Sequence, residues 1–163
     1  MRYNKIRKMD ISNGPGVRVS IFMQGCVFNC KNCFNPETHD FNLGKEFTDE
    51  TIEKVLNLCE LGHIEGLSIL GGEPLHPKNI DGSTKLARMF KERYPDKTLW
   101  IWSGYLFENL INLEIINYID VLVDGVYKDE LHNPTLSWRG SSNQRVIDVK
   151  KSLKNDKLIL IED

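Results

Sequence analysis

The sequence predicts an α/β protein in which about five to six mostly parallel strands alternate with helices that cover the outside of the sheet. Short runs rich in valine, isoleucine and aromatic residues alternate with longer segments whose apolar residues recur at helical spacing. A polar or glycine-containing turn follows each apolar run. At 163 residues, the chain is expected to form a single domain, 1–163, with one core.

The first third of the chain predicts a loop, one strand and one helix. Residues 12–16 read Ser-Asn-Gly-Pro-Gly, which is turn chemistry, so residues 1–16 are expected to form a loop. Residues 17–23 are rich in valine, isoleucine and phenylalanine and predict the first strand. A helix is expected over residues 48–61, with Thr48 as its N-cap.

The middle of the chain predicts three further strands separated by two helices. The strands are expected at residues 67–70, 98–102 and 119–123, and the helices at residues 83–93 and 107–112. This order predicts parallel βαβ units, whose active sites lie at the carboxyl ends of the strands.

The C-terminal part is less regular. Residues 138–145 form a polar segment whose two arginines could pair with carboxylates or lie in solvent. Two final strands are expected at residues 144–149 and 157–161, antiparallel across a turn near Asn155 and Asp156.

Composition excludes several classes of function. The net charge of −2 and the lack of a clustered basic face predict no nucleic-acid partner. No apolar run is long enough to span a membrane, and no signal peptide is recognisable. Clustered thiols without an export signal predict a reducing, cytoplasmic location.

Three of the four cysteines, Cys26, Cys30 and Cys33, lie within residues 25–35, here called the cysteine loop, directly after the first predicted strand. Three thiolates on one loop suit zinc or an iron–sulfur centre. A four-iron cluster normally takes four cysteines, so three would leave one iron with an open position for a small ligand.

A structural zinc site and a disulfide are less consistent with the spacing of these thiols than an iron–sulfur centre is. Structural zinc sites usually show two cysteine pairs or cysteines with two histidines, and neither pattern is present. A disulfide would leave one of the three clustered thiols unpaired. The fourth cysteine, Cys59, shares the apolar face of the helix predicted at residues 48–61 and is expected to be a buried core residue.

Further candidate residues follow the second, third and fourth predicted strands. Gly71, Gly72 and Glu73 form either a simple strand-end turn or a ligand site, because glycines allow close backbone approach and the acid can accept from an ammonium group. Ser103 and Asp124 end the next two strands on the same edge, where each is either a turn residue or a ligand contact.

The Cys-x3-Cys-x2-Cys spacing after a first strand resembles the cluster loop of radical S-adenosyl-L-methionine enzymes. Those enzymes usually carry an aromatic residue before the third cysteine; here that position is Asn32, and the aromatic residue, Phe34, follows. This arrangement is similar to that of the activating enzymes of anaerobic ribonucleotide reductases. The Asn-Gly-Pro-Gly turn at residues 13–16 and the Trp-Arg-Gly-Ser-x-Asn-Gln-Arg segment at residues 138–145 carry the same resemblance.

The resemblance implies a partial, open TIM-like barrel, since a complete barrel needs about 200 residues or more. It implies that Cys26, Cys30 and Cys33 hold a 4Fe–4S cluster whose open iron binds S-adenosylmethionine. Residues 71–73 would hold the methionyl amino group, and further cofactor contacts would come from Asn32, Phe34, Ser103 and Asp124.

The resemblance also implies a reaction. Reductive cleavage of S-adenosylmethionine would give methionine and a 5′-deoxyadenosyl radical, which takes a hydrogen from a glycine of the partner, an anaerobic ribonucleoside-triphosphate reductase. Flavodoxin or a similar protein would supply the electron. Alternatives are a small radical enzyme acting on a small molecule, such as a deazaguanine synthase, an activase of the pyruvate formate-lyase type, and a non-catalytic cysteine–metal module.

Overall fold

A computed structural model describes residues 1–162 and confirms the α/β class. Its strands and helices, in chain order, are β1 (Arg2–Asp10), β2 (Val17–Gln24), β3 (Lys45–Glu46), α1 (Asp49–Leu58), β4 (Ile64–Gly71), α2 (Ile80–Arg93), β5 (Thr98–Ser103), α3 (Phe107–Leu110), β6 (Val121–Asp124), β7 (Arg145–Asp148) and α4 (Val149–Asn155). Short 3-10 turns cover Pro36–Thr38, Glu114–Asn117 and Asp129–Leu131.

All seven strands lie in one open sheet, in the order β3-β1-β2-β4-β5-β6-β7. The four central strands, β2, β4, β5 and β6, run parallel, whereas β1, β3 and β7 pair antiparallel to their neighbours. The prediction of about five to six mostly parallel strands was therefore too low in number and correct only for the middle of the sheet.

The N-terminal segment was wrongly predicted as a loop. Arg2–Asp10 is strand β1, which pairs antiparallel with β2 and lies between β2 and the two-residue strand β3. Most of its side chains are exposed or half-buried, and only Tyr3 and Ile6 contact the core. A strand near a sheet edge needs no continuous apolar run, so the signal that identified the central strands was absent.

The C-terminal prediction was only partly correct. Strand β7 is present and antiparallel to β6, but helix α4 follows it directly. Asp148 caps that helix by accepting a hydrogen bond from the Lys151 backbone N–H at 2.9 Å. Residues 157–161 form no strand; a single antiparallel bridge joins Leu160 to Ile147.

Helix α1 begins as predicted at an N-cap, Thr48, whose hydroxyl accepts from the Thr51 N–H while the Thr51 hydroxyl accepts from the Thr48 N–H. The helix ends at Leu58, three residues before its predicted end. Cys59 follows it and is fully buried, which confirms its assignment to the core; burial raises the pKa of its thiol to about 12.

The central strands present different surfaces on their two faces. Val19, Ile21 and other alternating residues pack with the helices in the main core. The opposite face carries a smaller cluster of Trp100, Val121, Val123 and Val146. No helix within residues 1–162 has the length and apolar character needed to cross a membrane.

Candidate functional site

A pocket of about 500 Å³ lies at the carboxyl ends of the central parallel strands, the edge where active sites of parallel α/β folds are found. It brings together most of the residues predicted from the sequence: Cys26, Cys30, Cys33, Phe34, Gly71, Gly72, Glu73 and Ser103. Asn32 and Asp124 do not line it. The strand ends and the cysteine loop thus form two walls of one site.

The three thiols of the cysteine loop are all half-buried and free of disulfides. Burial raises the pKa of the Cys26 and Cys30 thiols, although a hydrogen bond from the Phe28 backbone opposes this at Cys26 and one from the Tyr127 backbone at Cys30. The Asn35 backbone N–H donates to the Cys33 sulfur at 3.4 Å. The Asn35 backbone N–H therefore already points at a sulfur that would carry negative charge as a thiolate.

The chemistry of the donor set fits an iron–sulfur cluster. Asn29 and Asn32 adopt left-handed backbone conformations, with φ of 49° and 55°, which curl the loop so that all three thiols line the same pocket. Within residues 1–162, no three His, Cys, Asp or Glu side chains converge on a point where a single metal ion could bind. Thiolates are the usual ligands of iron–sulfur clusters, with one cysteine on each ligated iron.

The wall formed by the strand ends, residues 71–73 and 103–104, is here called the strand-end wall. Its glycines allow a close contact with the cysteine loop. The Gly72 N–H donates to the Met23 carbonyl at 2.9 Å, and the Glu73 N–H donates to the Gly25 carbonyl at 2.8 Å. A Cβ atom on Gly72 would lie 2.5 Å from the Gly25 carbonyl oxygen, and Gly71 has a φ of 107°. Both positions therefore require glycine for the backbone contact itself.

Glu73 is the buried acid of the pocket, with 1% of its surface exposed. One carboxylate oxygen accepts from the Leu75 N–H at 3.0 Å and the Ser103 hydroxyl at 2.8 Å, and the other accepts from the Gly104 N–H at 2.7 Å. Burial nevertheless raises its pKa to about 7. A cation entering the pocket would favour the ionised form, so this carboxylate suits an ammonium group.

Ser103 and Asp124 hold the ends of their strands through contacts within the protein. The Ser103 hydroxyl bonds Glu73 and also accepts from the Tyr105 N–H at 3.0 Å. Asp124 is fully buried and accepts from the Phe107 N–H at 2.8 Å and from Arg145 Nε at 2.9 Å. Direct contact of either residue with a cofactor remains a prediction.

Arg145 resolves one of the alternatives left open by the sequence, because it pairs with carboxylates. It binds Asp124 and, through two hydrogen bonds of 3.0 and 2.8 Å, Glu108. Its hydrogen bonds to Asp124 and Glu108 raise the pKa of the Arg145 guanidinium, and its hydrogen bond to Glu108 lowers the pKa of that acid. The contacts of Arg145 with Asp124 and Glu108 fasten β6 and β7 to helix α3.

Residues 126–144, here called the strap, border the pocket, a position that the sequence analysis did not predict. Pocket-lining residues of the strap are Val126, Tyr127, Leu136, Trp138, Arg139, Gly140 and Gln144. Gln144 fixes the strap through its side-chain amide, which donates to the Gly125 carbonyl and accepts from the Gly140 and Ser141 N–H groups. The Trp102 indole N–H donates to the Trp138 carbonyl at 2.7 Å. The motif at residues 138–145 was recognised, but only tertiary contacts show that it borders the pocket.

Asn32 and Phe34, on the cysteine loop, both contact this strap. The Asn32 side-chain amide donates to Asp129 at 2.9 Å. The Phe34 ring, 63% exposed, lies 4.9 Å from the Tyr127 ring and also borders the pocket. Their predicted contact with a cofactor is untested, whereas their contact with the strap is direct.

Comparison with known proteins gives a consistent result. Residues 12–147 match the family described as "4Fe-4S single cluster domain". Proteins named anaerobic ribonucleoside-triphosphate reductase-activating protein are 40% identical over 146 residues in Enterobacteria phage T4, 41% over 151 in Salmonella typhi and 39% over 150 in Escherichia coli K12. Each comparison covers 90% of this chain and 93%, 97% and 97% of the respective relatives.

The matched region contains the cysteine loop, the strand-end glycines and the whole strap. The identity extends over nearly the full length of this chain and of each relative. The chain therefore belongs to the family of anaerobic ribonucleoside-triphosphate reductase-activating proteins and contains a 4Fe–4S single cluster domain.

Proposed function

We propose that this protein activates an anaerobic ribonucleoside-triphosphate reductase by generating a glycyl radical on it, with S-adenosylmethionine as the radical source. The observation that carries the proposal is the shared pocket, in which three thiols face a buried acid and two glycines at the carboxyl ends of parallel strands. A set of soft ligands beside an acceptor for an ammonium group is what a cluster with a chelating cofactor requires.

Cys26, Cys30 and Cys33 would hold the 4Fe–4S cluster. When bound and reduced, the cluster supplies the electron that breaks a carbon–sulfur bond of S-adenosylmethionine, and potentials of iron–sulfur clusters reach values low enough, about −700 mV. The chain contributes the curled loop that presents the three thiols to the pocket and the Asn35 backbone N–H that is directed at the Cys33 sulfur.

Glu73 would accept the methionyl ammonium group, with Gly71 and Gly72 bringing the backbone of the strand-end wall close to the cofactor. Ser103 orients Glu73 through a 2.8 Å hydrogen bond, and Phe34 borders the same pocket, so both are proposed as cofactor contacts. The volume of about 500 Å³ lies in the range of about 300–1,000 Å³ that is typical of small-molecule sites. Asn32 and Asp124 would support the site through the strap and Arg145.

The open sheet suits a protein substrate. Strands β3 and β7 lie at opposite edges of the sheet. We propose that the sheet forms a partial barrel whose open side admits the glycine-bearing segment of the reductase. Flavodoxin or a similar protein would deliver the electron in the cytoplasm, where the four free cysteines stay reduced.

The experiment combines the anaerobically reconstituted protein with purified anaerobic reductase, S-adenosylmethionine and a chemical reductant. Electron paramagnetic resonance (EPR) is expected to show a glycyl radical on the reductase, which is absent when S-adenosylmethionine is left out. Cleavage of S-adenosylmethionine without a glycyl radical would favour an enzyme acting on another substrate. One zinc and no sulfide in the purified protein would identify a metal module without this activity.

A further inference from the structure

The turn at residues 12–16 borders the pocket, although the proposed function gives it no role. Its first two residues line the pocket together with the cysteine loop and the strand-end wall. Two buried side chains hold its backbone on the sheet: the Ser68 hydroxyl donates to the Asn13 carbonyl at 2.6 Å, and Arg18 Nη1 donates to the Pro15 carbonyl at 3.3 Å. The turn is therefore a fixed part of the site.

The turn lies on the face of the sheet opposite the main core. Ser20 and Ser68 pair across β2 and β4, and each alternates along its strand with residues of that core. Gln24, the last residue of β2, lies four positions beyond Ser20, so the cysteine loop begins roughly 13 Å further along the strand. Asn13, which bonds Ser68, therefore borders a part of the pocket away from the three thiols.

Asp10 sets the orientation of the Asn13 side chain. Its carboxylate is 2% exposed and accepts from the Ser20 hydroxyl at 2.6 Å, from Asn13 Nδ2 at 2.7 Å and from the Ser12 backbone N–H at 2.8 Å. Burial alone would raise the pKa of Asp10, but these three hydrogen bonds lower it below its usual value. An ionised carboxylate only accepts, so it selects the amide nitrogen of Asn13 and leaves Oδ1 for a ligand.

The chemistry of a glycine substrate matches this acceptor. Glycine has no side chain, so a protein segment can be held at its reacting glycine only through main-chain N–H and C=O groups. Within residues 1–162, no donor bonds to Asn13 Oδ1. An amide oxygen of a residue that lines the pocket can accept from a main-chain N–H of such a segment.

We propose that Asn13 Oδ1 accepts a hydrogen bond from a main-chain N–H of the glycine-bearing segment of the reductase, and that Asp10 is the positioning residue that orients the Asn13 amide for this contact. The inference rests on the proposed function, because it takes a glycine of the reductase as the substrate. The backbone of the turn is held independently by Ser68 and Arg18, so Asp10 acts on the Asn13 side chain.

The test measures initial rates of glycyl-radical formation by EPR at increasing reductase concentrations. Asn13→Ala removes one neutral hydrogen bond to the substrate, so we expect the reductase concentration that gives the half-maximal rate to rise about 3- to 10-fold. Asp10→Asn keeps the shape of the side chain but can donate as well as accept, so the Asn13 amide is no longer held in one orientation. We expect a smaller rise, about twofold, in this variant.

The double variant separates positioning from a structural role. If Asp10 acts through Asn13, Asp10→Asn adds nothing in the Asn13→Ala background, and the double variant matches Asn13→Ala. A further rise in the half-maximal reductase concentration in that background would overturn the positioning role. Asn13→Ala leaves Asp10 in place, so it tests the contact even where Asp10→Asn folds poorly. Asn112→Ala, at an exposed position outside the pocket, is the control and should match the wild type.

The affinity for S-adenosylmethionine, measured by titration calorimetry, distinguishes the protein substrate from the cofactor. We expect this affinity to be unchanged in Asn13→Ala. Weaker binding of S-adenosylmethionine with an unchanged half-maximal reductase concentration would assign the Asn13 amide to the cofactor and overturn the proposal. If the wild-type protein forms no glycyl radical on the reductase, the proposed function fails. If it forms the radical and Asn13→Ala behaves like the wild type, only the role of Asn13 fails.

Discussion

The two walls of the pocket are built in different ways. The strand-end wall, formed by residues 71–73 and 103–104, is held by backbone hydrogen bonds and by a Glu73 carboxylate with three donors from the protein. The cysteine loop carries half-exposed thiols. Its first residues are held by backbone hydrogen bonds, whereas Asn32 and Phe34 contact the strap through their side chains.

This difference indicates when each wall reaches its working geometry. The strand-end wall is fixed by folding, because its donors and acceptors are already paired. The thiols of the opposite wall have raised pKa values at Cys26 and Cys30, so metal must displace protons before they act as ligands. Under the proposed function, the strand-end wall is preorganised for the cofactor, and the cysteine loop would be completed by the cluster.

The largest effect is expected from substitutions of the three cysteines in the cysteine loop. Changing Cys26, Cys30 or Cys33 to alanine removes one of three ligands, and we expect loss of the cluster and of glycyl-radical formation in each variant. Iron and sulfide analysis and EPR measure this. Cys59→Ala is the matched control, because this buried thiol lies in the core and should leave the cluster intact. Activity in any of the three loop variants would refute the ligand assignment.

A second prediction concerns Arg145, which fastens the base of the strap. Arg145→Met would leave the fully buried Asp124 without its cation, and we expect a loss of about 3–5 kcal/mol in the free energy of unfolding, measured with denaturant. Arg93→Met removes a surface pair with Glu53 and should cost at most about 1 kcal/mol. Equal losses of unfolding free energy in Arg145→Met and Arg93→Met would show that the buried Asp124 carboxylate does not depend on Arg145.

A third prediction tests the strand-end wall. Glu73→Gln keeps the size of the side chain but removes its charge, so we expect S-adenosylmethionine to bind about 10- to 100-fold more weakly, the range for a charged hydrogen bond. Cluster content should stay at the wild-type level, since the thiols are untouched. Glu130→Gln, at an exposed position outside the pocket, serves as the control. Unchanged affinity would remove Glu73 from the cofactor site.

The smallest expected effect is a pH dependence of the affinity for S-adenosylmethionine, through its proposed contact with Glu73. Burial raises the pKa of Glu73 to about 7, and a bound ammonium group would lower it, so binding requires proton release below that pH. Affinity should be full above about pH 7 and fall by up to about tenfold per unit as pH drops below it. Titration calorimetry at several pH values measures this. The affinity of Glu73→Gln should not change with pH. A wild-type affinity that is equally independent of pH would contradict the raised pKa of Glu73.

The parts predicted correctly from the sequence are those with a local signal. The strands near residues 17–23 and 98–102 carry continuous apolar runs, and the spacing of the three cysteines needs no tertiary information. Strand β1 was missed because its side chains are mostly polar and partly exposed. The pairing of Asp124 with Arg145, 21 residues away, depends on β6 lying beside β7 and has no sequence signal.

The central claim is that the cysteine loop and the strand-end wall serve one cluster and one cofactor. The most direct test is the EPR spectrum of the anaerobically reconstituted, reduced protein, recorded with and without S-adenosylmethionine. We predict a reduced 4Fe–4S signal that changes when S-adenosylmethionine is added, because the cluster keeps an open iron beside the strand-end wall. An absent signal, or one that S-adenosylmethionine leaves unchanged, would contradict the account.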